Sequence, residues 1–318
     1  MQDHELRNSE PPTTWDNTMR VMLNQCPRKL YFFLRRFDYP PSIMPAYFIL
    51  GRAFGEGMNL WYREEPTLPG TPEHEGRKMR AIAAAVDLWR NEGGNDKGVD
   101  SEPNLIRILQ NYFEEYPREK WKYVKKGDEL GWTWPLRGTR YMLGGSLDGY
   151  AEWPGYGLFF VEHKTTGGYL TDSYVTQWHY SSQVLQYSWF LYNFHGGSAE
   201  VYGGLINMAT KQVKGPRSRW TTPEFARTLV KHSPLTFEQF EQSITAEIQQ
   251  FERYWSDWNW PQKGFLEPAN CVGGPGKSAC LFRQICSSAI PIEAVEADQF
   301  GLLEKEDKWQ PWLRQGET

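Results

Sequence analysis

Apolar residues recur at helical spacing over most of the chain, and strand-like runs are confined to its middle. The run that begins at Trp15 is interrupted at Cys26-Pro27, where Pro27 is suited to begin a second helix. Thr236 followed by Gln239 is typical of a capping box, so a long helix is predicted to begin there. Helices are predicted over residues 15–37, 46–62, 73–92, 104–116, 175–194 and 236–255.

The strand-like runs lie at residues 132–134, 141–153, 158–161 and 199–208, and Pro154-Gly155 marks a tight turn between the second and third. The order strand, strand, helix, strand predicts an α/β fold with a mixed central sheet flanked by helices. Residues 46–129 precede these strands and are predicted to form a helical insertion within a single domain of residues 1–318. Residues 1–13 are expected to form a loose arm.

Three charged residues interrupt the predicted hairpin. Asp148 lies near the end of its first strand, and Glu162 and Lys164 end the second. Residues two apart share a face of a strand, so Glu162 and Lys164 point the same way, and pairing of the strands brings Asp148 close. Burying these charges is costly unless something compensates them.

A divalent cation would compensate the two carboxylates. Oxygen atoms of Asp148 and Glu162, with the main-chain carbonyl of His163, suit Mg²⁺ or Mn²⁺. Such an ion activates water and stabilises charge on a phosphate, with Lys164 assisting, which is the chemistry of phosphodiester hydrolysis. A hairpin in which Lys164 simply forms salt bridges with the carboxylates is the alternative.

Composition and charge narrow the class of protein. The net charge is −4 and the pI about 5.9, which excludes a globally basic nucleic-acid binder and leaves local patches such as the run from Lys211 to Arg219. No run approaches the roughly 18 apolar residues of a membrane span, and the N-terminus is polar. These features predict a cytoplasmic protein without a membrane partner, in which the four cysteines are not expected to form disulfides.

Three motifs in order resemble the PD-(D/E)XK nuclease superfamily, in its RecB-like exonuclease branch with CRISPR-associated and phage-encoded members. They are Gly145-Ser-Leu-Asp148, Glu162-His-Lys164 and Gln183-x-x-x-Tyr187. The four-residue spacing puts Gln183 and Tyr187 on one helix face. The resemblance implies a restriction-endonuclease-like core in which these two side chains position the catalytic lysine or the DNA strand. A buried polar pair on an apolar helix is the alternative.

The cysteines carry a second resemblance. One lies early in a Cys-Pro-Arg context, at Cys26, and Cys271, Cys280 and Cys286 follow within residues 266–290. This arrangement is similar to the iron–sulfur branch of these nucleases, which implies that four thiolates hold a [4Fe–4S] cluster joining the chain ends. Zinc suits the same ligands, and four reduced thiols without metal are a further alternative.

One position departs from the family. There a helix carries a metal-binding histidine, and in the segment from Leu50 to Glu56 that place is held by Gly55. Either Glu56 supplies a ligand instead, or the hairpin residues and water hold the metal alone. Glu56 as an ordinary surface residue is equally compatible with the sequence.

Taken with the resemblance, these motifs predict a metal-dependent DNA exonuclease acting on single-stranded or frayed ends in recombination, repair or phage DNA processing, with a recombination or helicase partner. Trp178 and Tyr180 are candidates for stacking on bases. A nuclease-fold DNA-binding module without turnover is the main alternative, and a zinc-stabilised structural protein is a third hypothesis.

Overall fold

The computed structural model describes residues 3–39, 44–96, 98–125, 130–198, 201–211, 224–263, 268–273, 279–306 and 309–313. They belong to two compact units, which are described separately. Unit one comprises residues 1–43, 133–145 and 238–311, and unit two comprises residues 44–132, 146–237 and 312–318. The fold class is α/β, with mixed sheets and flanking helices, as predicted. The nuclease domain spanning residues 1–318 stays a prediction.

The elements are numbered in chain order. The helices are α1 (Asp3–Arg7), α2 (Asn17–Gln25), α3 (Pro27–Leu34), α4 (Ala46–Arg63), α5 (Pro72–Asn91), α6 (Glu102–Glu115), α7 (Asp172–Thr176), α8 (Ser182–Phe194), α9 (Pro234–Ser256), α10 (Ala269–Val272) and α11 (Arg283–Ser287). The strands are β1 (Thr14–Trp15), β2 (Phe37–Asp38), β3 (Lys122–Lys125), β4 (Leu130–Pro135), β5 (Met142–Leu147), β6 (Gly149–Trp153), β7 (Gly157–Thr166), β8 (Val201–Thr210), β9 (Phe225–Val230) and β10 (Leu303–Glu304). None of the helices in these described ranges combines the length and apolar character that a bilayer span requires.

Unit one packs N-terminal helices against the long helix α9. Asp16 caps α2 by accepting a hydrogen bond from the Met19 backbone N–H (2.9 Å). Cys26 ends α2, and Pro27 begins α3, as the sequence predicted. The predicted loose arm is wrong for residues 3–7, which form α1 because Leu6 is buried.

Unit two is built on a five-stranded sheet in the order β3-β6-β7-β8-β9. Strands β7 and β8 are parallel, and the other neighbours are antiparallel. Phe159 and Val161 of β7 belong to one apolar cluster with residues of α4 to α6. The intervening Phe160 packs instead on Tyr187 of α8, with 5.5 Å between ring centroids. Helices therefore cover both faces of the sheet, because successive strand residues point to opposite sides.

Several predicted elements needed correction. The predicted strand 141–153 is two strands, β5 and β6, separated by a bend at Asp148, and they belong to different sheets. The predicted helix 175–194 continues only from Ser182, after α7 and a 3-10 turn. Thr236 was predicted to begin a helix but lies inside α9, which begins at Pro234. The backbone N–H of Thr236 donates a hydrogen bond to the Ser233 hydroxyl (3.2 Å). Strands β3 and β9, which form the sheet edges, were not predicted.

Candidate active site

Strand β7 presents Glu162 and Lys164 on the sheet face that α8 covers. Only 4% of Glu162 is exposed. Gly149 of β6 pairs with Val161 of β7, so Asp148, one residue before β6, lies beside the end of the apolar run. The His163 backbone N–H donates to Asp148 Oδ2 (2.8 Å), which fixes the Asp148 carboxylate against β7.

The first turns of α8 add Gln183 and Tyr187 to this group. Lys164 Nζ donates to Glu162 Oε1 and to Gln183 Oε1, the latter at 3.1 Å. Gln183 Nε2 donates to Glu162 Oε1 and to the Tyr187 hydroxyl oxygen, both at 3.1 Å. Gln183 therefore orients both the acid and the ammonium group, and Tyr187 holds the amide from one helix turn further on.

The close approach of Gly149 to Tyr123 helps to set this geometry. A Cβ at Gly149 would lie 1.9 Å from the Tyr123 ring, so only glycine allows β3 to pack there beside the Asp148 bend.

Glu162 lies close enough to Asp148 to shift the ionisation of the Asp148 carboxyl. Burial and the charge of Glu162 raise the pKa of Asp148 from 3.8 to about 7. Desolvation lowers the pKa of Lys164, but the charges of Glu162 and Asp148 outweigh it, so that this pKa lies above its ordinary value. Near neutral pH the lysine is therefore charged, whereas the Asp148 carboxyl gives up its proton less readily than an ordinary aspartate.

The chemistry of the donors fits a largely hydrated divalent ion. Within the described residues, Asp148 Oδ1 and Glu162 Oε2 accept no hydrogen bond. Mg²⁺ is commonly held by one or two carboxylates and several waters. Across the described ranges no three His, Cys, Asp or Glu side chains are placed to hold one ion, so Glu56 is not brought together with these carboxylates.

Gly55 holds the place where the resemblance implies a metal-binding histidine, and there is open space beside it. A Cβ at Gly55 would meet no heavy atom within 4 Å, so nothing in the fold requires glycine there. The ligand role of Glu56 stays a prediction. The His163 side chain points away from Glu162 and Lys164, so His163 contributes only main-chain atoms to this face.

Two aromatic side chains, Trp178 and Tyr180, lie in the 3-10 turn that precedes α8. Lys164 Nζ lies 5.6 Å from the centroid of the Trp178 ring. Tyr180, two residues further on, is 86% exposed. Of the basic run from Lys211 to Arg219, Lys211 is buried and paired with Asp100 (2.6 Å), and residues 212–219 lie outside the described residues.

A polar network behind β7 was missed by sequence reasoning. Asn207 of β8 hydrogen-bonds to His163 Nδ1 (2.9 Å) and donates to the Tyr112 hydroxyl (2.7 Å). Arg227 of β9 donates to Asn207 Oδ1 (3.2 Å) and binds both carboxylate oxygens of Glu119 (2.7 and 2.8 Å). Burial and the charge of Arg227 lower the pKa of His163 to about 3, so its imidazole is neutral. The only sequence signal was the alternation of Phe225, Arg227 and Leu229 in a strand that was not predicted.

The four cysteines are all free thiols in unit one. Cys26 is buried between α2 and α3, and the other three are half-buried. The Cys280 backbone N–H donates to the Cys271 carbonyl (2.9 Å). Burial, with the charges of Cys26 and Cys280, raises the pKa of Cys286 to about 11, while Arg28 opposes this rise.

These thiols are the donors that a [4Fe–4S] cluster or zinc requires. Burial, with the charges of Cys271 and Cys26, also raises the pKa of the Cys280 thiol. Among the described residues, no three His, Cys, Asp or Glu side chains lie close enough together to form a metal-binding group. The cysteine thiols are therefore suitable ligands for a cluster or a zinc ion, and binding would require them to move closer together.

No family model matches the chain, and no curated protein matches it. A solved structure described as "Crystal structure of SSO0001" aligns over 91% of this chain and 93% of its own at 11% identity. Its TM-score is 0.32, so no conclusion about fold or function is taken from it.

Proposed function

We propose that the chain is a metal-dependent DNA nuclease that hydrolyses phosphodiester bonds at single-stranded or frayed ends. The observation that carries this proposal is the hydrogen-bonded group of Glu162, Lys164 and Gln183 with Asp148 beside it. A purely structural salt bridge needs one carboxylate, whereas here a second buried carboxyl group with a raised pKa adds an unfavourable charge. Such a cost is typical of functional sites.

The roles of the side chains follow from their contacts. Bound Mg²⁺ or Mn²⁺ would supply an activated water and offset charge on the phosphate. Asp148 and Glu162 would hold the ion through their oxygen atoms. Lys164, kept charged by both carboxylates, would donate a hydrogen bond to the attacking water or to a phosphate oxygen. Gln183 and Tyr187 position Lys164 and Glu162.

A single strand is the substrate form that suits the surroundings. Tyr180 is 86% exposed and Trp178 lies against Lys164, so bases can stack beside the scissile phosphate. Stacking of this kind requires bases that are unpaired, as in single strands and frayed ends. Binding to the backbone is expected to weaken with salt.

The test is cleavage of end-labelled single-stranded DNA with Mn²⁺. Glu162→Gln and Lys164→Met should each lower the rate by about 100-fold or more, the scale of a lost electrostatic contact. The matched control is the surface ion pair of Glu75 and Lys78 on α5 (3.0 Å), changed to Gln and Met. Full activity in both site variants would reject the proposal, as would equal loss in the control. Release of mononucleotides without cutting of circular DNA would assign exonuclease action.

A nuclease-fold module that binds DNA without turnover is the second candidate. It is motivated by Gly55, which has no side chain and holds the place where the resemblance implies a metal-binding histidine. It predicts DNA binding that Mn²⁺ does not convert into cleavage. Restored cleavage in Gly55→His would show that only this ligand was missing.

We further propose that Cys26, Cys271, Cys280 and Cys286 bind a [4Fe–4S] cluster in a cytoplasmic protein, with zinc as the alternative metal. The charges of Cys271 and Cys26 at Cys280, and those of Cys26 and Cys280 at Cys286, support this proposal. Anaerobically purified protein should contain iron and absorb broadly in the visible range. Zinc in place of iron, or neither metal, would reject the cluster without bearing on the nuclease site.

A further inference from the structure

Unit two contains a cleft of about 470 Å³ that is separate from the candidate active site. Leu205 of β8 and Leu229 of β9 form part of its floor. Both belong to the apolar cluster of α4 to α6, so the cleft opens on the sheet face opposite Glu162 and Lys164. Its volume lies within the range of small-ligand sites.

Three aromatic side chains line the cleft. Trp121 is buried, and its ring packs against Tyr62 at 4.9 Å between centroids, so it is held rigidly. Trp153 and Tyr116 are half-buried and leave part of their surface available. Flat aromatic rings of this kind bind planar heterocycles by stacking, at low cost in conformational entropy.

Three cationic side chains line the same cleft. Arg118 and Lys120 are exposed and have neither an ion pair nor a hydrogen bond within the part of the chain that the structure describes. Arg227 binds Glu119 and lies over Tyr116, 3.5 Å from the ring centroid. The three cations exceed the one lining carboxylate by two charges, although the whole chain carries −4. This local excess favours a ligand with a phosphate group.

We propose that this cleft binds a nucleotide, with its base stacked on Trp153 and its phosphate held by Arg118 and Lys120. The ligand is either a free nucleotide or one nucleotide unit of a strand, since both present the same base and phosphate. The assignment does not depend on hydrolysis at the opposite face of the sheet, because none of its residues belongs to the candidate active site.

The test is calorimetric titration of the Glu162→Gln variant with dAMP in EDTA, which separates binding in the cleft from any hydrolysis. Adenosine and ribose 5-phosphate serve as ligands that lack the phosphate and the base respectively. We expect dAMP to bind at least tenfold more tightly than either. Trp153→Ala and the double change Arg118→Gln/Lys120→Gln should each weaken dAMP binding at least tenfold.

Two controls keep the result interpretable. Trp153→Phe should retain binding because it keeps an aromatic face, and Lys78→Gln, which removes a cation on α5 outside the cleft lining, should leave it unchanged. If dAMP does not bind but a short single-stranded oligonucleotide binds through the same residues, the ligand of the cleft is one nucleotide of a strand. Failure of both ligands to bind, or binding that ignores both sets of cleft variants, would overturn the proposal. Loss of cleavage in other variants would not affect it.

Discussion

Asp148→Asn should stabilise the metal-free protein at pH 8, although it removes a proposed ligand. Asp148 is half-buried beside Glu162, and desolvation together with the charge of Glu162 raises its pKa from 3.8 to about 7. An acid whose folded-state pKa exceeds its unfolded-state value destabilises the fold once it is ionised. The cost therefore begins as the pH rises above 3.8 and is complete above about 7.

The magnitude follows from the pKa difference. Each pKa unit corresponds to about 1.4 kcal/mol, so the rise to about 7 costs the folded state about 4 kcal/mol at most. Because Asp148 is only half-buried, solvent screens its charge. This screening reduces the expected destabilisation of the folded state to about 2 kcal/mol. Asparagine is nearly isosteric and its Oδ1 can still accept the hydrogen bond from the His163 backbone N–H.

The assay is denaturant unfolding in EDTA at pH 4 and pH 8, for the wild type and Asp148→Asn. We expect the variant to be about 2 kcal/mol more stable at pH 8 and nearly equal to the wild type at pH 4. Mn²⁺ at about 100 times its Kd should then stabilise the wild type by about 2.7 kcal/mol and the variant much less. A variant that is less stable than the wild type at pH 8 in EDTA, or a difference independent of pH, would refute the electrostatic reasoning.

Three further predictions concern stability and metal content. Gly55→Ala should stabilise by about 1 kcal/mol because a Cβ there meets nothing, whereas Gly57→Ala, with a Cβ 3.0 Å from a leucine methyl, should destabilise by about 1–3 kcal/mol, both measured by denaturant unfolding. Arg227→Met should cost about 3 kcal/mol because the Glu119 carboxylate loses its cationic partner and keeps only the hydrogen bond from the Tyr62 hydroxyl, and adding Glu119→Gln should recover part of it. Cys286→Ala should lower bound iron in elemental analysis, and unchanged iron would contradict its ligand role.

Local sequence determined much of the scaffold. Helical spacing located α4, α5 and α6 to within two residues, because each carries an apolar stripe that is readable without knowing its partner. The turn at Pro154-Gly155 and the apolar run of β7 were equally legible. The alternation of strand side chains also placed Glu162 and Lys164 on one face before any tertiary contact was considered.

Other features depended on contacts between residues distant in sequence. The bend at Asp148 divides an apolar run between two sheets, and no local propensity marks where pairing partners change. The edge strands β3 and β9 are short, and Arg227 interrupts the apolar residues of β9, so their strand structure depends on pairing with β6 and β8.

The side-chain groups show the same division. Gln183 and Lys164 are 19 residues apart, and only the packing of α8 on β7 brings the amide within 3.1 Å of the ammonium group. The network of His163, Asn207 and Arg227 joins three strands on the opposite face. Residue types and periodicity thus fix which face a side chain occupies, whereas the partner it meets is decided by strand order and helix packing, which arise from the free energy of the whole fold.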